Sequence, residues 1–201
     1  MRISLRQLDP QAQALFISDI TEAVDVLRDG GIILYPTDTI WGIGCDATNV
    51  GAVKKIFALK RRDDSKALIT LVPSDTWIER YVEEVPEIAW ELMEAAVDPL
   101  TIVYDKGKNL APNLYAPDGS IGIRVTHELF SSELCKRLKV PVVSTSANVS
   151  GLVAPSSFSE ISQEIISGVD YVCRWNRQSS VINRPSGVIK ISAGGVFKIL
   201  R

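Results

Sequence analysis

Ile32-Ile33-Leu34-Tyr35-Pro36-Thr37-Asp38-Thr39-Ile40-Trp41-Gly42-Ile43-Gly44 decides how this chain reads. Residues 32–35 form a short apolar run between Gly30-Gly31 and Pro36, so they read as a buried strand that the proline closes. Thr37, Asp38 and Thr39 then place three polar side chains at that strand's C-terminal edge, where open α/β sheets usually hold ligands. Gly42 and Gly44 allow another backbone to approach closely.

On either side the pattern alternates between helical and strand periods. Upstream, Ile17, Ile20, Val24 and Leu27 recur near helical spacing, which predicts a helix over 17–29 stopped by the two glycines. Downstream, Asn49 is a suitable N-cap for a helix over 49–60 that buries Val53, Ile56 and Phe57. Strands are predicted at 67–72, 100–104, 120–125 and 141–148, with helical stretches at 74–96 (broken at Pro86), 128–138 and 159–167. Four further short strand-like runs (YVC, SVI, GVIKI and VFKIL) close the chain. This alternation predicts a layered α/β fold in one domain over residues 1–201, with a mixed, twisted sheet and no additional C-terminal domain.

Composition excludes several classes. Hydrophobic residues at 46% and charged residues at 23% over 201 residues argue against disorder. A net charge of −2 argues against a protein that coats nucleic acid non-specifically. No apolar run is long enough for a membrane span or signal core, and the three cysteines, Cys45, Cys135 and Cys173, lack CxxC spacing. A cytoplasmic protein with free thiols and no metal site of its own is expected. The single histidine, His127, cannot build a multi-histidine metal site, and no GxSxG elbow accompanies it; surface or capping duty is expected. Walker A and GxGxxG patterns are absent.

Positive charge concentrates at one place. Lys54, Lys55, Lys60, Arg61, Arg62 and Lys66 outnumber Asp63 and Asp64, which points to a localised anionic ligand. Alternation along 120–125 puts Ser120, Gly122 and Arg124 on one strand face, where the arginine suits a carboxylate or phosphate. Residues 144–151, STSANVSG, offer hydroxyls and an amide after a buried strand.

Taken in order, YPTDTIWGIGCDA, LKRR…KAL, GSIGIRV and VSTSANVSG resemble the YrdC-like threonylcarbamoyl-adenylate synthase family over roughly residues 16–200. The family's KxR…SxN tetrad falls on Lys60, Arg62, Ser146 and Asn148. The resemblance implies a twisted mixed sheet flanked by helices around a large concave basic cavity. It implies a nucleotidyltransferase that makes threonylcarbamoyl-AMP and pyrophosphate from L-threonine, bicarbonate and ATP with Mg²⁺, for N6-threonylcarbamoyladenosine formation in tRNA. Carried over, Lys60, Arg62, Lys66, Ser120, Ser146 and Asn148 would face ATP. Thr39, Arg124, Ser144 and Ser179 would hold threonine. Lys60 and Arg62 are read here as accessible cations whose loss stops turnover without unfolding the chain. Tetrad residues carry the catalytic role, without a side-chain nucleophile.

The chain departs from the family pattern at Ala67, at Leu71 in place of a histidine, and at Ser192, where the C-terminal arginine of an LRxG motif is expected, with Lys190 the nearest cation. Two other readings draw on the same residues. One is a translation-associated module that binds double-stranded RNA or tRNA through the basic cavity, with protein partners. The other is a YciO-like nucleotide-binding paralogue without threonine chemistry.

Overall fold

The computed structural model describes residues 4–61, 68–178 and 185–201. The first helix, α1 (Pro10–Arg28), starts well before the predicted position. Asp9 accepts the Gln11 and Ala12 amides, each at 2.9 Å, and Pro10 occupies the first turn, where its missing N–H costs nothing. Gly30, at φ +74°, stops the helix as expected. The other helices are α2 (Val50–Lys60), α3 (Glu87–Ala95), α4 (Leu129–Leu138) and α5 (Gln163–Gly168). Asn49 caps α2 by accepting the Ala52 amide at 3.0 Å.

Nine strands among the described residues form one mixed sheet. They are β1 (Ile33–Tyr35), β2 (Gly42–Gly44), β3 (Ile69–Val72), β4 (Leu100–Tyr104), β5 (Ile121–Val125), β6 (Val142–Ser146), β7 (Tyr171–Val172), β8 (Gly187–Ile191) and β9 (Phe197–Ile199). Their order is β7-β1-β2-β6-β3-β5-β4-β8-β9. The expected strand at SVI lies outside the described residues. The strand that the sequence pattern does not disclose is β2, read above as a glycine-bearing loop. It pairs antiparallel with both β1 and β6. A Cβ at Gly44 would sit 2.5 Å from Tyr35 and 2.7 Å from the Val143 carbonyl, so only glycine fits there.

Register sorts the two faces. Paired positions share a face, so Gly42, Ser146, Ser144, Ile69, Gly122, Arg124, Thr101 and Val188 point one way. Ile43, Val143, Thr70, Ile123, Ile102 and Ile189 point the other way, into the main core. Over that apolar face, Phe16 of α1 meets Phe130 of α4 edge-on at 5.6 Å and Trp175 at 5.0 Å. No helix among the described residues is long and apolar enough to cross a membrane. Cys45, Cys135 and Cys173 are all free and buried.

One buried carboxylate ties α1 to the far edge of the sheet. Asp19, with no exposed surface, accepts from Tyr171 Oη at 2.6 Å, the Trp175 amide at 2.7 Å and the Arg174 amide at 2.9 Å. Asp19→Ala strands three donors at once, so a loss of about 3 kcal/mol is expected by urea denaturation. A loss below about 1 kcal/mol would contradict this role for Asp19.

Candidate active site

A cleft of ≈ 490 Å³ opens on the polar face of the sheet. Thr39, Arg124, Ser144 and Ser146 line it together, and Ser186 and Arg201 join them. Its described lining holds two arginines and no Asp or Glu side chain, so it favours an anionic ligand.

Arg124 is the centre of this wall. It projects from β5 between Leu71 of β3 and Thr101 of β4, and is 3% exposed. Asp38 Oδ1 lies 2.9 Å from Arg124 Nη2 without the alignment of a hydrogen bond, so the contact is one of charge. The same Nη2 donates to Thr39 Oγ1 at 3.3 Å. Arg124 Nε, buried, finds no hydrogen-bond partner among the described residues. A buried guanidinium with an unspent N–H calls for an anionic acceptor. Burial raises the Asp38 carboxyl pKa, and the Arg124 charge opposes that rise. On its other side Asp38 borders a second cavity of ≈ 830 Å³, together with His127 and Trp90. His127 is an exposed surface residue, as expected; the cap of α4 comes instead from Glu128, which accepts the Phe130 and Ser131 amides.

Lys60 corrects an expectation. It is the last residue of α2, but it is 1% exposed rather than accessible. Its Nζ donates to the carbonyls of Ser146 and, at 2.6 Å, Asn148. Arg61 adopts the left-handed conformation at φ 48° and turns outward to Glu164 at 2.7 Å. Asn148 spends its amide on its own loop, donating to Leu152 O at 2.6 Å and Val149 O at 3.1 Å. The Ser150 amide returns to Lys60 O at 2.9 Å. Three tetrad members are thus brought together, with Lys60 fastening the 146–150 loop beside the cleft. The fourth, Arg62, lies outside the described residues, as do Lys66, Ala67 and Ser179. Ser120 is buried at the opposite end of β5 from Arg124, its amide on Asp118 Oδ1 at 2.9 Å.

Ser192, where the resemblance places an arginine, is not among the described residues that line the cleft. It turns the β8–β9 hairpin, bonding to Val196, and Lys190 is engaged by Asp118 at 2.9 Å. The hairpin instead carries Arg201 back beside β8, where its carbonyl accepts the Val188 amide at 3.0 Å and its Nε donates to Ser186 O at 3.1 Å. Ser186 and Arg201 were missed because only the hairpin pairing sets them at the cleft; the sole sequence signal was a cation closing the VFKIL run.

The Sua5/YciO/YrdC family model, described as telomere recombination, matches residues 25–201. The chain belongs to this family. A putative threonylcarbamoyl-AMP synthase of Methanocaldococcus jannaschii is 36% identical over 179 residues, covering 86% of this chain and 84% of that protein. A variant of Sua5 from P. abyssi superposes with a TM-score of 0.82 at 26% identity, covering 90% of this chain. The P. abyssi Sua5 structure complexed with L-threonine superposes at 0.78 and 24% identity over 100% of this chain, a likeness of fold. This chain spans 55% of the length of each of those Sua5 chains.

Two predictions follow from the buried cations. Lys60→Ala leaves the Asn148 carbonyl without its ammonium donor and the Ser146 carbonyl with the Asn148 amide alone, at 2.9 Å, so it costs about 1–3 kcal/mol in urea denaturation and speeds exchange of the Ser150 amide. Arg124→Met removes the charge that opposes the raised Asp38 pKa, so that pKa climbs further. A carboxyl harder to ionise when folded loses stability as pH rises. The variant's deficit is therefore expected to grow by up to about 1.4 kcal/mol per pH unit once the pH passes the wild-type Asp38 value, itself raised above the unfolded carboxyl value of ~4, until Asp38 of the variant ionises. Urea titrations between pH 4 and 8 check the slope; a pH-independent deficit would refute it.

Proposed function

We propose that this chain is a threonylcarbamoyl-AMP synthase, a nucleotidyltransferase that joins L-threonine, bicarbonate and ATP and releases pyrophosphate. The observation that carries the reading is Arg124: a nearly buried guanidinium with an unspent N–H, at the wall of a cleft whose described lining holds no Asp or Glu side chain, beside a threonine hydroxyl. It suits the carboxylate of an amino acid, while Thr39, Ser144 and Ser186 supply oxygens for its amine and hydroxyl. The relative from M. jannaschii, a putative threonylcarbamoyl-AMP synthase, supports this choice among anionic ligands.

In this reading threonine's neutral amine attacks the carbon of carbon dioxide and loses one N–H proton to solvent, or attacks that of bicarbonate with expulsion of water; either route forms a carbamate. A carbamate oxygen then attacks the α-phosphorus of ATP, and pyrophosphate leaves from the opposite side. Positioning and charge neutralisation supply most of the rate, and no side-chain nucleophile is required. Arg201 at the cleft wall, with Arg62 and Lys66 from the resemblance, would neutralise the phosphates. No group of three His, Cys, Asp or Glu among the described residues makes a metal cage. Mg²⁺ would arrive on the triphosphate, where the Ser146 hydroxyl would offer it an oxygen within the cleft, and it would supply charge neutralisation. The product would feed modification of tRNA by other proteins. RNA binding draws no support from Lys55, whose ammonium is held by Gly30 O at 2.9 Å and Asp170 at 3.5 Å.

The test is pyrophosphate release with labelled bicarbonate. Release and label incorporation are expected only when threonine, bicarbonate and ATP are all present. Arg124→Met should lower kcat/KM for threonine by about a hundredfold, the worth of a charged contact near 3 kcal/mol. Pyrophosphate release that does not depend on threonine would reject the assignment.

A further inference from the structure

Around Thr39 three hydroxyl and carbonyl oxygens share two hydroxyl protons, which fixes where each proton goes. A hydroxyl has one proton to give and two lone pairs to offer. Thr37 Oγ1 lies 2.7 Å from Ile40 O, a carbonyl that can only accept, so Thr37's single proton is spent there. Thr37 Oγ1 also receives the Thr39 amide at 3.1 Å and stands 3.0 Å from Thr39 Oγ1. With its own proton committed, Thr37 must be the acceptor in that last pair. Thr39 therefore donates inward to Thr37. Its first lone pair takes Arg124 Nη2 at 3.3 Å, and the second is left for the cleft, which Thr39 lines. Both threonines are 5% exposed, which leaves water little room to break this chain.

We propose that Thr37 is a positioning residue that makes Thr39 an acceptor-only contact, so that Thr39 binds the substrate amine by its N–H and leaves the nitrogen lone pair free to attack. A hydroxyl free to rotate could donate to the neutral amine and occupy the lone pair that must form the carbamate C–N bond. The run Thr39→Thr37→Ile40 O fixes the direction and forbids that. This inference rests on the threonine reading of the cleft and adds a residue that does not line it.

The experiment compares wild type, Thr37→Val and Thr37→Ser by threonine-dependent pyrophosphate release, with thermal melting of each. Valine keeps the shape and removes the hydroxyl. Thr37→Val is expected to lower kcat about tenfold, the worth of one misdirected hydrogen bond, while KM for threonine stays within about threefold. Thr37→Ser restores the acceptor and should return kcat to within about threefold of wild type. A Thr37→Val kcat within about twofold of wild type would overturn the proposal, as would a loss confined to KM, or a Thr37→Ser deficit as large as valine's. Should the valine variant fail to fold, Thr37→Ala is read by the same criteria. Wild type without threonine-dependent release would defeat the functional reading itself, and is distinguished from these outcomes by the wild-type arm alone.

Discussion

A guanidinium set in the middle of a sheet is the constraint around which this molecule is arranged. Arg124 lies between Leu71 and Thr101 on neighbouring strands and is almost fully withdrawn from water. Desolvating a charge is expensive unless oxygens replace the lost hydration. The segment 36–40 supplies them, through Asp38 at 2.9 Å and Thr39 at 3.3 Å. That requirement explains why the chain leaves β1 at Pro36, crosses over Arg124, and only then returns as β2. Because the compensation stops short of Nε, the same arginine keeps capacity for a ligand. Stability and binding are therefore coupled at one side chain.

Lys60 shows the other use of a buried cation. Its ammonium binds the carbonyls of Ser146, the last residue of β6, and of Asn148 just beyond it, and so ties the end of the strand to the loop that follows. The left-handed turn at Arg61 follows directly, since the helix must stop as soon as Lys60 has reached the loop. Two positive residues that look alike in sequence thus do different work. One holds the frame of the cleft, and one faces its interior.

Much of the secondary structure was legible in the chain, and the exceptions share a cause. Strong periodicity disclosed α2, α4, β3, β4, β5 and β6, because each buries a continuous apolar face. Asn49 marked its helix start through a local side-chain bond. Strand β2 escaped because Gly42-Ile43-Gly44 is short and lacks side chains at the two positions where Tyr35 and Ser144 approach most closely. The early start of α1 was written in Asp9-Pro10, a local signal outweighed by the weaker apolar spacing that begins near residue 17. Within the site, Thr39, Arg124, Ser144 and Ser146 were each recognisable by motif and converge on one cleft. Ser186 and Arg201 were not, since neither motif nor period marks them.

By itself the sequence determined the α/β class, the strand-edge placement of the polar motifs, the excess of cations in one stretch, and membership of a recognisable family. These are properties of neighbouring residues: hydrophobic period, capping and spacing act over a few positions along the chain. Only the tertiary structure decided that Lys60 is a strut rather than an open cation, that Asp38 serves Arg124, and that Arg201, not Ser192, lines the cleft. Those outcomes depend on pairings between strands and loops far apart in the chain, because hydrogen-bond satisfaction of a buried charge is settled by whichever oxygens the fold brings within about 3 Å of it.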